Sequence, residues 1–150
     1  MKTYLVTGCA GFIGSNFVHY MLDKYEDIRL VNLDKLTYAG NLENLQDIEG
    51  DARHIFVQGD ICDKALVTEL IAKYDPDYVI NFAAESHVDR SIKNPEIFVE
   101  SNVLGTVNLL QCCKDAWYDA EAKTWKEGKK YLQVSTDEVY GALGAEGYFM

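Results

Sequence analysis

Basic residues are scarce. Lys and Arg number 14 against 24 Asp and Glu, a formal net charge of −10 at pH 7. A nucleic-acid or anionic-membrane surface needs clustered Lys and Arg, so neither is an expected partner. A phosphorylated small molecule stays open, because helix ends and local groups hold anions. Long apolar runs are absent as well: none approaches the ~20 residues of a membrane span. The short apolar segment after Lys2 runs straight into glycines and reads as a strand, not a signal peptide. The four cysteines, Cys9, Cys62, Cys112 and Cys113, form no Cys-x-x-Cys pair. That argues against zinc or any other metal, and against a disulfide framework. Free thiols in a reducing cytoplasm are the expectation. No internal repeat, low-complexity tract or linker interrupts the chain. Its 150 residues suit one domain with a sizeable core.

What the chain does have is Tyr4-Leu5-Val6-Thr7-Gly8-Cys9-Ala10-Gly11-Phe12-Ile13-Gly14. An apolar run reads as a buried strand, glycines follow at three-residue spacing, and an amphipathic stretch begins. This is the strand–turn–helix entry of a dinucleotide-binding fold. Gly8, Gly11 and Gly14 let the chain turn sharply and let a pyrophosphate approach the backbone. The new helix offers unpaired N–H groups and a positive dipole end. The spacing is Gly-x-x-Gly-x-x-Gly, so the Gly-x-Gly-x-x-Gly pattern is met only in part.

The rest of the chain alternates strand and helix. Strands are expected at Lys2–Thr7, Ile28–Leu33, His54–Gln58, Tyr78–Ala83 and Tyr131–Ser135. The first helix carries Phe12, Ile13, Phe17, Val18, Met21, Leu22 and Tyr25 as its apolar stripe. A short polar helix is expected near Leu42–Asp47. Asp63 should cap a helix at Lys64–Tyr74, with Leu66, Val67, Leu70 and Ile71 inward, ended by Asp75-Pro76-Asp77. Glu85–Ser91 reads as a dense polar loop. Asn94 and Pro95 start a helix reaching about Trp117, with Phe98, Val103, Leu104, Val107 and Leu110 on its apolar side. Asp119–Lys129 reads as a surface excursion. The pattern predicts an α/β fold, a Rossmann-type doubly wound parallel sheet over residues 1–150.

Such sheets bind ligands at the carboxyl ends of their strands, and the chemistry-bearing residues gather there. Asp34 falls about 20 residues beyond the last glycine, where an acid meets the adenosine ribose; this favours NAD over NADP. Lys35, beside it, is placed to soften that preference. Asp60 either faces adenine or caps the next helix. Ala83 and Ala84 are small enough for a cofactor to lie against the strand end. Asp137 and Glu138 are adjacent acids past the last strand; in unequal surroundings such a pair splits into an acid and a base able to eliminate water. Two solvated loop acids are the plainer alternative. His87, near Ser86 and Asp89, is either a general base or a structural loop histidine. The Tyr20-x-x-x-Lys24 spacing lies near the far end of the first helix, beside core residues, and is not catalytic.

Thr7–Gly14, Asp34-Lys35-Leu36-Thr37-Tyr38-Ala39-Gly40-Asn41, Ala83-Ala84-Glu85-Ser86-His87-Val88-Asp89-Arg90-Ser91 and Ser135-Thr136-Asp137-Glu138-Val139-Tyr140-Gly141 occur in that order. Together they closely resemble the dTDP-glucose 4,6-dehydratases, extended short-chain dehydrogenase/reductases of sugar-nucleotide metabolism. The resemblance implies oxidation of glucose at C4 with NAD as hydride carrier, loss of water across C5 and C6, and hydride return to C6. It implies that Asp137 protonates the C6 hydroxyl, Glu138 takes the C5 proton and Thr136 hydrogen-bonds the C4 oxygen. Phe12, Ile13, Asp34, Lys35, Leu36, Thr37, Asp60, Ile61, Ala83, Ala84, Glu85 and Ser86 would contact NAD. Ser86 and His87 would also lie near the sugar. Ser101 stands where many members have threonine and keeps the hydroxyl. Cys9 replaces a common glycine.

Two further expectations concern extent. The family's Tyr-x-x-x-Lys lies downstream of Asp-Glu-Val-Tyr-Gly and is not reached by Met150, nor is the domain that grips the nucleotide. The chain is therefore expected to be the N-terminal piece of a longer enzyme, homodimeric at full length, with little activity by itself. A sugar-nucleotide epimerase and a non-catalytic NAD-binding module are the rival readings. An epimerase has no need of the Asp137–Glu138 pair.

Overall fold

The computed structural model describes residues 1–36, 40–84, 88–136 and 139. Strands β1 (Lys2–Thr7), β2 (Ile28–Asp34), β3 (His54–Gln58), β4 (Tyr78–Asn81) and β7 (Lys130–Gln133) form one sheet in the order β3-β2-β1-β4-β7. Every pairing in it is parallel. Parallel strands are covered on both faces, so they are apolar on both. Leu5 lies beside Val31 and Val79 and points to one face; its neighbour Val6 points to the other.

Helix α1 (Phe12–Lys24) and a 3-10 helix (Leu42–Ile48) cover the Val6 face through Val18, Met21, Leu22 and Leu45. Helices α2 (Lys64–Tyr74) and α5 (Gly105–Trp117) cover the Leu5 face through Val67, Leu70, Ile71, Leu109 and Trp117. Asp63 caps α2 as expected, its carboxylate accepting the Leu66 N–H at 3.1 Å. The helix stops at Asp75, which adopts a left-handed conformation with φ 43°.

The structure corrects several sequence expectations. Phe12 and Ile13 are 81% and 63% exposed and do not join the α1 stripe, which starts at Gly14 and Ser15. They occupy the first turn, at the helix end that opens toward solvent. Glu85–Ser91 is not a loop throughout, because α3 spans Val88–Lys93. Asn94 stands at the cap position before α4 (Pro95–Val99), but its side chain makes no capping bond.

The long helix is helical over residues 95–117, yet Val103, Leu104, Val107 and Leu110 are exposed. Its core face is Gly105, Leu109, Cys112, Cys113 and Trp117. The inward positions run from Phe98 through Ser101, Gly105, Leu109 and Cys112 at ordinary helical spacing, past a π-helical stretch at Glu100–Leu104, so the exposed set lies on another side of the helix. Gly105 sets the contact: a Cβ there would lie 2.6 Å from the Ile61 side chain.

Strand β4 is shorter than expected and ends at Asn81. Asn81 is buried; it accepts from Thr7 Oγ1 and from Ala83 N, and donates to Gln133 Oε1. The side-chain network draws Ala83 out of the ladder. The surface excursion contains a two-stranded antiparallel ribbon, β5 (Tyr118–Asp119) with β6 (Thr124–Trp125), whose Tyr118 and Trp125 rings stand 4.8 Å apart. Among the described residues no helix is long and apolar enough to cross a membrane.

Candidate functional site

The carboxyl ends of β1, β2, β3 and β4 surround one groove. Gly8 and Gly11 form one wall, Leu33, Asp34 and Lys35 the next, Gly59, Asp60 and Ile61 a third, and Phe82, Ala83 and Ala84 the fourth. Gly40 and Ser101 close the ends.

The glycine wall is built by steric exclusion. Gly8 has φ +69°, and a Cβ on it would lie 2.6 Å from Ala83 N. Gly14 packs so tightly that a Cβ would lie 2.1 Å from the Gly8 carbonyl oxygen. The turn therefore lies directly against the end of β4, and the groove floor is bare backbone. Gly11 stands at the N-cap of α1 and no side chain caps this helix. Its first-turn N–H groups remain for a ligand, and an anion there meets the positive dipole end. Cys9 faces away from solvent at 0% exposure. Burial first, and then the Asp34 charge, push its thiol pKa up, so it stays protonated beside the groove.

Asp34 is fixed by the backbone. One carboxylate oxygen accepts the Ala10 N–H at 2.9 Å and the other the Leu36 N–H at 2.7 Å. It ties the glycine turn to the end of β2 and still lines the groove. Leu36 takes φ 59° to make its bond and packs into the α1-side core. Across the groove mouth Lys35 Nζ stands 3.1 Å from Asp60 Oδ2. Asp60 Oδ1 accepts the Cys62 N–H at 2.9 Å. Burial raises the Asp60 pKa, but the Cys62 N–H and Lys35 outweigh it and hold the carboxyl below the usual range. Lys35 is correspondingly raised by Asp60.

The structure thus brings Gly8, Gly11, Asp34, Lys35, Asp60, Ile61, Ala83, Ala84 and Ser101 together. Phe12 and Ile13 stand exposed in the first turn of α1, and Gly14 packs behind the turn. Thr136 is exposed past β7. Thr37, Glu85, Ser86, His87, Asp137 and Glu138 lie outside the described residues. Sequence reasoning missed Leu33, Gly40, Gly59 and Phe82 as lining residues. Gly59 carried a signal, since it follows a strand directly; Phe82 read as strand interior. The Tyr20–Lys24 pair forms a surface contact at 2.6 Å on α1, away from the groove. Among the described residues no cluster of His, Cys, Asp or Glu is placed to hold a metal ion.

Residues 5–148 match the family model described as GDP-mannose 4,6 dehydratase. The chain belongs to that family. It is 56% identical over 149 residues to a dTDP-glucose 4,6-dehydratase of Xanthomonas campestris pv. campestris, covering 99% of this chain and 42% of the relative. The fold matches the crystal structure of dTDP-glucose 4,6-dehydratase from Bacillus anthracis in complex with NAD, with a TM-score of 0.81 and 44% identity over all of this chain and 42% of that one. A UDP-glucose 4-epimerase from Brucella ovis in complex with NAD matches with a TM-score of 0.76 and 30% identity, covering 95% of this chain and 38% of that one. The chain therefore spans about two fifths of the length of the relatives it matches. The resemblance seen in the motifs and the doubly wound fold both hold.

Proposed function

We propose that this chain is the NAD-holding part of a dTDP-glucose 4,6-dehydratase. The observation that carries the reading is the groove itself: a bare glycine floor, an uncapped helix end and a backbone-locked acid at the end of β2. The residues fit a dinucleotide. The first turn of α1, at Phe12 and Ile13, would hold the pyrophosphate. Asp34 would accept from the adenosine ribose hydroxyls. Asp60 and Ile61 would face the adenine, and Ala83 and Ala84 would leave room along the strand end. Glu85, Ser86 and Ser101 would complete the contacts. When bound, the nicotinamide supplies a reversible hydride acceptor.

The protein residues proposed for the elimination are Asp137, Glu138 and Thr136. Thr136 would hold the C4 oxygen of the sugar. Oxidation at C4 acidifies the C5–H, which Glu138 would remove while Asp137 protonates the departing C6 hydroxyl. Ser86 and His87 would orient the sugar. The greater likeness to dehydratases than to the epimerase, 56% and 44% identity against 30%, supports this assignment of the acid pair. The product would be dTDP-4-keto-6-deoxyglucose, with the cofactor returned unchanged.

The test is calorimetric titration with NAD, followed by incubation with dTDP-glucose and chromatographic analysis of the product. Saturable NAD binding and a 4-keto-6-deoxy product from the protein that carries this chain are expected. Formation of a C4 epimer instead would move the assignment to the epimerases. NAD binding with no sugar chemistry would leave a binding module.

A further inference from the structure

Asp34 and Asp60 leave adjacent parallel strands and reach the same groove, but they are held differently. Both oxygens of Asp34 are occupied by backbone N–H groups. Asp60 receives one backbone N–H on Oδ1, and its Oδ2 engages Lys35. Among the described lining residues Lys35 is the one cation. It directly follows Asp34, so it is the group that a phosphate on the ribose 2′ position would meet.

Resting on the NAD reading above, we propose that Asp60 is a specificity-determining residue: by pairing with Lys35 it withholds the cation that would otherwise welcome a 2′-phosphorylated dinucleotide. A 2′-phosphate entering this groove meets Asp34 beside it and a lysine whose charge is already answered 3.1 Å away. NAD, with a free 2′-hydroxyl, needs neither change. Selectivity by this route is electrostatic, because the pair is open to solvent, with side chains 56% and 37% exposed. Salt therefore screens it. The Cys62 N–H keeps the Asp60 carboxylate in place to hold the lysine.

The experiment is calorimetric titration of NAD and of NADP into the wild-type protein, Asp60→Asn, Lys35→Met and the double variant. Asp60→Ser serves as a second release variant, since a hydroxyl still accepts the Cys62 N–H. Asp60→Asn is expected to lower the ratio of NADP to NAD dissociation constants by about tenfold at low salt, and less at high salt, as a screened charge contact does. Lys35→Met alone should leave the ratio within about twofold, and in the double variant the gain should vanish. An unchanged ratio in both release variants, or a gain that persists without Lys35, would overturn the proposal while leaving the NAD reading intact. A wild-type protein that binds neither dinucleotide would overturn the NAD reading itself.

Discussion

The His19 imidazole bridges α1 and the 3-10 helix, with Nε2 2.7 Å from Asp47 Oδ1 and Nδ1 2.7 Å from the Ser15 carbonyl oxygen. A carbonyl and a carboxylate only accept, so this geometry suits a ring carrying both protons. Asp47 raises the His19 pKa, and His19 lowers that of Asp47. The 3-10 helix is joined to the glycine turn: Asn41 N and Asn44 Nδ2 both donate to the Ala10 carbonyl. A raised histidine pKa contributes stability that is complete below the unfolded value near 6.5 and lost as pH rises through the folded value. The lowered Asp47 acts in the opposite sense and is lost only in acid. Amide exchange over Leu42–Ile48 should therefore quicken above the His19 pKa, and Asp47→Asn should remove that step. A ring titration by NMR at or below the ordinary histidine value would contradict it.

The glycine turn gives a steric prediction. Gly14→Ala places a Cβ 2.1 Å from the Gly8 oxygen, and Gly8→Ala adds strain at φ +69°. Each should lower stability by about 1–3 kcal/mol or more, the range for overpacked sites, and weaken NAD binding at least tenfold. Gly50→Ala meets nothing within 4 Å and has no left-handed backbone. It should be neutral or slightly stabilising, and thermal melts compare the three directly.

Asp34→Asn tests the backbone lock. An amide has one oxygen, whereas Ala10 N and Leu36 N each require an acceptor. One N–H loses its partner, at about 1–3 kcal/mol of stability. Chemical denaturation measures that loss. NAD titration of the same variant should show a dissociation constant raised at least tenfold.

The thiols should divide one from three. Cys9, Cys112 and Cys113 are buried and Cys62 is exposed. Burial pushes Cys113 up to about 12 and raises Cys9 as well. Cys62 is also raised, by partial burial and by Asp60. A disulfide reagent should titrate one thiol in the native protein, slowly at neutral pH and faster as pH rises, and all four after unfolding. Rapid reaction of two or more native thiols would contradict the packing.

The core face of α5 separates two neighbouring leucines. Leu109 is 0% exposed and Leu110 is 44% exposed. Leu109→Ala should cost about 2–5 kcal/mol, as a buried leucine does, and Leu110→Ala within about 1 kcal/mol on the same scale. Equal losses would restore the phase expected from the sequence.

Local chemistry was legible without coordinates where it depended on a few neighbours along the chain. The apolar runs of β1, β2 and β3, the Asp63 cap, the stop at Asp75 and the glycine spacing all declared themselves, because turn and strand preferences act over a handful of residues. So did the location of Asp34, Asp60 and Ala83 at strand ends, which follows from alternation alone. The inward face of residues 95–117 did not, since the chain carries apolar residues on more than one side of this helix and the contact of Gly105 with Ile61 is made to another segment. Nor did the early end of β4, which Asn81 brings about through Thr7 and Gln133 on other strands. The pairing of Lys35 with Asp60 belongs to the same class: 25 positions separate them by number, and only the parallel register of β2 and β3 sets them side by side. By itself the sequence determined the main alternation of strand and helix and where the ligand groove opens. Tertiary structure alone decided which side chains share that groove and which are already engaged with each other, because those contacts are made across the sheet and not along the chain.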